Sequence, residues 1–145
     1  MESQQEEVFD SPEGWVADHI HGYVQSDGAT GHEWHGVNAL LLTTRGRKTG
    51  KLRRTALYYG PDGDHYIVVA SNGGADTYPA WYLNLAETPD VQVQIQADKF
   101  SAKARTATSE EKPRLWKLMA ELFPKYESYQ QNTQRDIPIV ILERN

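Results

Sequence analysis

Hydrophobic and polar positions alternate most cleanly between residues 91 and 106. Val91, Val93, Ile95 and Ala97 alternate with Gln92, Gln94 and Gln96, and Phe100, Ala102, Ala104 and Thr106 carry the alternation on. A period of two predicts an antiparallel strand pair with one buried face, its tip at Asp98-Lys99. Apolar, β-branched runs at 37–44, 55–59 and 66–70 predict three more strands. Pro61-Asp62-Gly63-Asp64 is a turn signal that makes a hairpin of the last two. A final strand covers 137–142, with Pro138 near its start predicting an edge or entry position. Three segments have helical spacing. Val16, Ile20, Tyr23 and Val24 share one face of a helix opened by Ser11-Pro12-Glu13 and running to about Gln25. Residues 79–87 read as a short helix with Thr77 as cap. Thr108-Ser109-Glu110-Glu111 is a capping box opening a helix that carries Leu115, Leu118, Met119 and Leu122, broken by Pro124. Residues 1–10 read as a polar, frayed end and 26–36 as a loop.

The order is helix, three strands, helix, two strands, helix, strand. Hairpins dominate, so a doubly wound parallel sheet is excluded. The pattern predicts an α+β, mainly β fold: a small antiparallel barrel with peripheral helices. At 145 residues the chain suits one core. Within it, 1–36 form an acidic N-terminal segment and helix, and 37–145 form the barrel domain. The absence of cysteine excludes a disulfide scaffold, a Cys-ligated metal and a thiol nucleophile. It also fits a reducing, cytoplasmic setting. No apolar run is long enough to span a membrane.

Charge changes the picture more than composition does. The formal net charge is −5. Residues 1–44 hold eight acids and no Lys or Arg, whereas residues 45–54 hold six cations and no acid. Six cations on a Gly-containing turn between two strands point to an anionic ligand, met by side chains and by backbone amides at one end of the sheet. The competing reading is a solvated basic turn.

Several familiar chemistries are excluded. Gly46-Arg47-Lys48-Thr49-Gly50-Lys51-Leu52 is not a phosphate loop of the NTPase kind. It has three residues between its glycines rather than four, and Leu52 replaces the magnesium-binding hydroxyl. No G-x-G-x-x-G opens a helix. His32-Glu33-Trp34-His35 has the wrong spacing for a helical zinc site, and His19 and His21 read as surface or packing residues, so no metal site is assigned. Ser71 lacks the leading glycine of a nucleophile elbow. Trp81 and Tyr82, with Phe123, Tyr126 and Tyr129 at spacings of three, form an aromatic group. Tyr126 and Tyr129 lie in a polar stretch, which favours stacking on a planar ligand over core packing.

Residues 41–59 (LLTTRGRKTGKLRRTALYY), 69–72 (VASN), 81–96 (WYLNLAETPDVQVQIQ) and 137–140 (IPIV) together resemble the deazaflavin-dependent nitroreductase and F420H2-dependent quinone reductase family. The resemblance implies a split β-barrel like those that bind FMN, and the cofactor F420, a deazaflavin with a phosphate and an oligoglutamate tail. It implies cofactor contacts from Arg47, Lys48, Thr49, Arg53, Arg54 and Thr55. Val69, Ala70, Ser71 and Asn72, with Ala80, Trp81, Tyr82, Leu83 and Asn84, are expected to line the ring and its linker. Tyr126 matches a tyrosine at the ring. Tyr58, Ser71 and Tyr129 match the substrate side. Two positions depart from the nitroreductase pattern: Phe123 replaces a tyrosine on the substrate side, which counts against nitroimidazole reduction, and Asn72 replaces a lysine, which removes a positive charge near the cofactor and lowers its expected affinity without changing the chemistry.

The implied activity is hydride transfer from reduced F420 to a small quinone or nitroaromatic acceptor. Tyr126 is the candidate proton donor, and Ser71 the hydrogen-bond donor to the acceptor. A lipid quinone would bring loose contact with the inner face of the cell membrane. Rival readings are an FMN-dependent split-barrel oxidoreductase, a non-catalytic F420 carrier and a nucleic-acid module. The single phosphate of FMN uses few of the six cations. The acidic net charge argues against nucleic acid. The sequence assigns no oligomeric state.

Overall fold

The alternating segments build the centre of the molecule. In the computed structural model, residues 7–11, 14–34 and 37–145 are described. The strands are Val8–Asp10 (β1), Glu33–Trp34 (β2), Val37–Arg45 (β3), Leu52–Tyr58 (β4), Gly60–Asp62 (β5), His65–Val69 (β6), Asp90–Ile95 (β7), Asp98–Thr106 (β8) and Ile139–Arg144 (β9). The helices are Gly14–Ser26 (α1), Ala80–Glu87 (α2), Lys112–Leu122 (α3) and Lys125–Gln131 (α4), with a 3-10 turn at Asn72–Gly74. The fold is α+β. Eight strands follow the path β1-β4-β3-β7-β8-β9-β6-β5, and β2 pairs with β3. Every pairing is antiparallel except β1 with β4.

Only Tyr59 separates β4 from β5, although the path puts them near opposite ends. The sheet therefore curls until its ends lie side by side. Among the described residues no ladder joins them, so the sheet is curled but not closed. The curl gives the central strands two buried faces. Val68, Val140 and Leu142 point inward with Leu40, Leu42, Val93 and Phe100. Their neighbours Ile67, Val69, Ile139 and Ile141 point outward, beneath Leu115 and Met119 of α3. This is why these runs are continuously apolar rather than alternating. On β3, Leu41 turns outward and is covered by Val16, Ile20 and Tyr23 of α1, the helical face expected from their spacing.

Several expectations are corrected. Residues 8–10 are a strand rather than a frayed end. The turn at 61–64 joins β5 to β6, not β4 to β6, because the chain bends at Tyr59 and crosses to the other end of the sheet. The β7–β8 turn is Gln96-Ala97, two residues earlier than Asp98-Lys99. Gln96 takes φ +54° there, and its amide donates to the buried Tyr23 hydroxyl (2.6 Å). Pro79, not Thr77, caps α2. The final strand is central, between β8 and β6, and the Pro138 carbonyl accepts from Ala70 N (3.0 Å) at its entry. Of the Ser11-Pro12-Glu13 helix start, Pro12 and Glu13 lie outside the described residues, and Ser11 N donates to the Arg54 carbonyl (2.9 Å).

The capping box forms as expected. Thr108 N donates to Glu111 Oε1 (2.9 Å), and Glu111 N donates to Thr108 Oγ1 (3.2 Å). Arg105 adds a bidentate pair to the same carboxylate (2.8 and 3.0 Å). The Arg105 hydrogen bond, helped by the Thr108 amide, lowers the Glu111 carboxyl to about 2 from an ordinary 4.5. A depressed carboxyl stabilises the fold above its unfolded pKa, and that contribution is lost as pH falls through the folded one. Chemical denaturation at a series of pH values is therefore expected to show stability declining between about pH 5 and 2, with a shallower decline in Glu111→Gln.

Candidate functional site

The basic turn and the aromatic residues of α4 face a common cleft of about 1100 Å³. One wall is the β3–β4 hairpin. Its turn is closed by Gly46 N to the Lys51 carbonyl (2.7 Å) and Gly50 N to the Gly46 carbonyl (2.8 Å), with Gly50 at φ +71°. Arg47, Lys48 and Thr49 are exposed at the turn, and Arg53, Arg54 and Thr55 line the cleft from β4. The turn rests on α2. Asn84, 4% exposed, accepts from Arg47 N through Oδ1 (3.1 Å) and donates from Nδ2 to Thr44 Oγ1 (3.1 Å). The Arg47 amide is thus committed to Asn84, contrary to the expectation that the turn amides face a ligand.

The opposite end is aromatic. Tyr58 lies tilted against Phe123 (centroids 4.8 Å apart), and Phe123 meets Tyr126 edge-on (5.0 Å). Tyr129 lies 6.3 Å from both Phe123 and Tyr126. Pro124 ends α3, and the chain restarts as α4, which carries Tyr126 into the outer core against Leu115 and Met119. Tyr126 is 5% exposed, so core packing explains much of its placement, against the sequence reading. Burial raises its phenol well above the ordinary value, and the neighbouring Tyr58 and Tyr129 raise it further. Burial, then Tyr129, also raises Tyr58.

Between the two ends lie the segment 69–73 and the start of α2. Val69, Ser71, Asn72, Ala80, Trp81 and Asn84 line the cleft, as do Tyr58, Tyr126 and Tyr129. The 72–74 turn packs against α4, where a Cβ at Gly74 (φ +84°) would stand 3.1 Å from Tyr129 backbone atoms. Arg135 holds this segment from behind, donating to the carbonyls of Ser71 (2.7 Å), Ala75 (2.8 Å) and Ala70 (3.2 Å).

Three expected residues lie outside the lining. Ala70 is fully buried. The Tyr82 hydroxyl shares a hydrogen bond with Thr106 Oγ1 (2.9 Å) on β8. Leu83 is half-buried away from the cleft. Residues missed by the sequence reading include Phe9, Asp10, Ser11, Tyr78 and Lys125. The only signal for the first group was Val8-Phe9, an apolar pair inside an acidic stretch. Two histidines pack locally: His19 Nε2 donates to the Gly31 carbonyl (2.7 Å), and His32 lies between Tyr23 and Tyr59, whereas His21 is exposed. His35 is outside the described residues.

A cleft with cations at one end and a cluster of aromatic side chains at the other has the chemistry to take a planar group with an anionic tail. Comparison with known proteins agrees. A family model described as F420H(2)-dependent quinone reductase matches residues 15–144. The chain belongs to that family. It is 39% identical over 126 residues to the F420H(2)-dependent quinone reductase Rv1261c of Mycobacterium tuberculosis, covering 84% of this chain and 85% of that protein. Among solved structures it is similar to an F420-H2 dependent reductase, FDR-A, at 39% identity and TM-score 0.67, over 72% of this chain and 93% of that one. A structure described as a domain-swapped dimer matches at 35% identity and TM-score 0.71, over 92% of this chain and all of that one.

Proposed function

We propose that this protein reduces a quinone with F420H2, and that the cleft between the basic turn and α4 holds both partners. We read the curled, open sheet as a split β-barrel. The observation that carries the functional reading is the continuity of the cleft: its cationic and aromatic walls enclose one space. The donor set suits F420. Guanidinium and ammonium groups at 47, 48, 53 and 54 match a phosphate and several carboxylates, whereas FMN carries one phosphate. Trp81, Val69, Ser71 and Asn72 supply the walls for the ring. Tyr58, Phe123 and Tyr129 supply an apolar, stacking surface for a planar acceptor.

When bound, reduced F420 supplies a hydride. The protein orients the two rings. Tyr126 keeps its proton, because burial disfavours the phenolate. We read it as a hydrogen-bond donor to the acceptor oxygen, with the proton that completes reduction drawn from water. We read Ser71, which also lines the cleft, as a second hydrogen-bond donor to the acceptor. Phe123 offers no hydroxyl there, which favours quinones over nitroimidazoles.

The test follows F420H2 oxidation optically with menadione and with a bicyclic nitroimidazole, beside titrations with F420 and FMN. Menadione reduction, slower nitroimidazole reduction and tighter F420 than FMN binding are expected. F420 binding with no reduction across a quinone panel would establish a carrier instead. Tyr126→Phe is expected to keep F420 affinity within about two-fold and to lose about 5- to 30-fold in turnover, the worth of one hydrogen bond in the transition state. Unchanged turnover removes the hydroxyl from this role.

A further inference from the structure

The N-terminal strand lies on cations that an anionic ligand of this cleft would use. Strand β1 pairs with β4 in a register that sets Phe9 opposite Arg53 and Asp10 opposite Arg54. The Asp10 carboxylate accepts from Arg54 Nε (2.6 Å) and Nη2 (3.2 Å), a bidentate pair. The Phe9 ring faces Lys51 Nζ at 5.0 Å and the Arg53 guanidinium at 5.4 Å. Two residues of β1 thus engage three of the cations in the basic stretch. Phe9, Asp10, Arg53 and Arg54 all line the cleft.

We propose that Asp10 is a specificity-determining residue: a carboxylate of the chain itself that occupies Arg54 in place of a ligand carboxylate or phosphate, and so sets affinity according to the charge of the cofactor's tail. The inference rests on the reading of the cleft as an F420 site. The geometry supports exchange rather than permanent neutralisation. The Asp10 and Arg54 side chains retain 33% and 22% of their accessible surface, so water and ligand reach the pair. Pairs this exposed contribute little to stability, and a ligand with several carboxylates offers more charge than one aspartate. β1 is only three residues long and lies at the end of the sheet, so loss of the Asp10 contact leaves the core intact. A fixed negative charge beside the cations also repels a polyanion while leaving a neutral ligand unaffected.

The experiment compares wild type with Asp10→Asn, a substitution that keeps size and removes charge. Equilibrium fluorescence titration measures binding of F420 and of a deazaflavin lacking the phosphate and glutamates, each also in an Arg54→Gln background. Asp10→Asn is expected to bind F420 about three- to ten-fold more tightly, with the gain shrinking at high salt. Binding of the tail-less deazaflavin stays unchanged, and most of the gain is lost with Arg54→Gln, leaving only the part due to charge repulsion; a gain of full size in that background overturns the pairing role. Equal or weaker F420 binding by Asp10→Asn, beside intact wild-type binding, overturns the role of Asp10 alone. So does an equal gain for the tail-less ligand, which would reveal a general structural effect. Failure of the wild-type protein to bind F420 overturns the cofactor reading itself, and this inference with it.

Discussion

Replacing Arg47 and Arg53 together with alanine is expected to weaken F420 binding by roughly 10²–10⁴-fold, since each charge-assisted hydrogen bond is worth about 1.5–3 kcal/mol. Both side chains are exposed, Arg47 at the hairpin turn and Arg53 on β4 facing the cleft. Arg53 touches Phe9, but neither residue supports the core. The loss is therefore expected in affinity, with little change in melting temperature. It scales with tail length, because each further glutamate meets a cation set that has lost two members. It also narrows at high salt, where screening weakens the wild-type interaction first. Fluorescence titration across F420 species of different tail length checks all three points. A loss below about five-fold would mean that the basic turn is solvated rather than ligand-binding, the reading that competed with it from charge alone.

Asn84→Ala is expected to cost about 2–4 kcal/mol of stability and at least ten-fold in F420 affinity, although Asn84 carries no charge. Its amide links α2 to the end of β3 and to the basic turn. One end holds the Thr44 hydroxyl, itself 1% exposed, and the other holds the Arg47 amide. Removing it leaves a buried hydroxyl unpaired and frees the basic turn from α2. The cations remain, but they must be ordered again when a ligand binds. Urea unfolding checks the first part, and titration at a temperature where the variant is fully folded checks the second. If affinity is kept while stability falls, Asn84 is a core residue and not a strut for the site.

These two residues also show how far the site is legible in the chain. Arg47 and Arg53 stand out because six cations crowd into ten residues of an acidic protein, and charge needs no neighbour to be read. Asn84 was named only through the W-Y-L-N-L resemblance, as a cofactor contact. Its position as a support between α2 and the turn depends on a residue 37 places away, which no local pattern encodes. Asp10 was invisible for the same reason. An acid in an acidic stretch carries no signal until the parallel register of β1 sets it opposite Arg54. Tyr126 was read as a surface aromatic because its neighbours are polar. The restart of the chain as α4 after Pro124 turned one side of that polar stretch into the core.

By itself, the sequence determined what is short-ranged: the periods of two in β7 and β8, the α1 face, the Thr108–Glu111 box and the cationic hairpin turn. Each depends on residues within about one turn or one strand of each other, where backbone geometry alone fixes who meets whom. The tertiary structure decided what lies across the sheet. It set β4 and β6 near opposite ends of the sheet and curled those ends together, paired β1 beside the cations, and brought the turn and α4 to one cleft. Those pairings depend on the burial of two faces at once by strands far apart in the chain, a condition that local patterns do not carry.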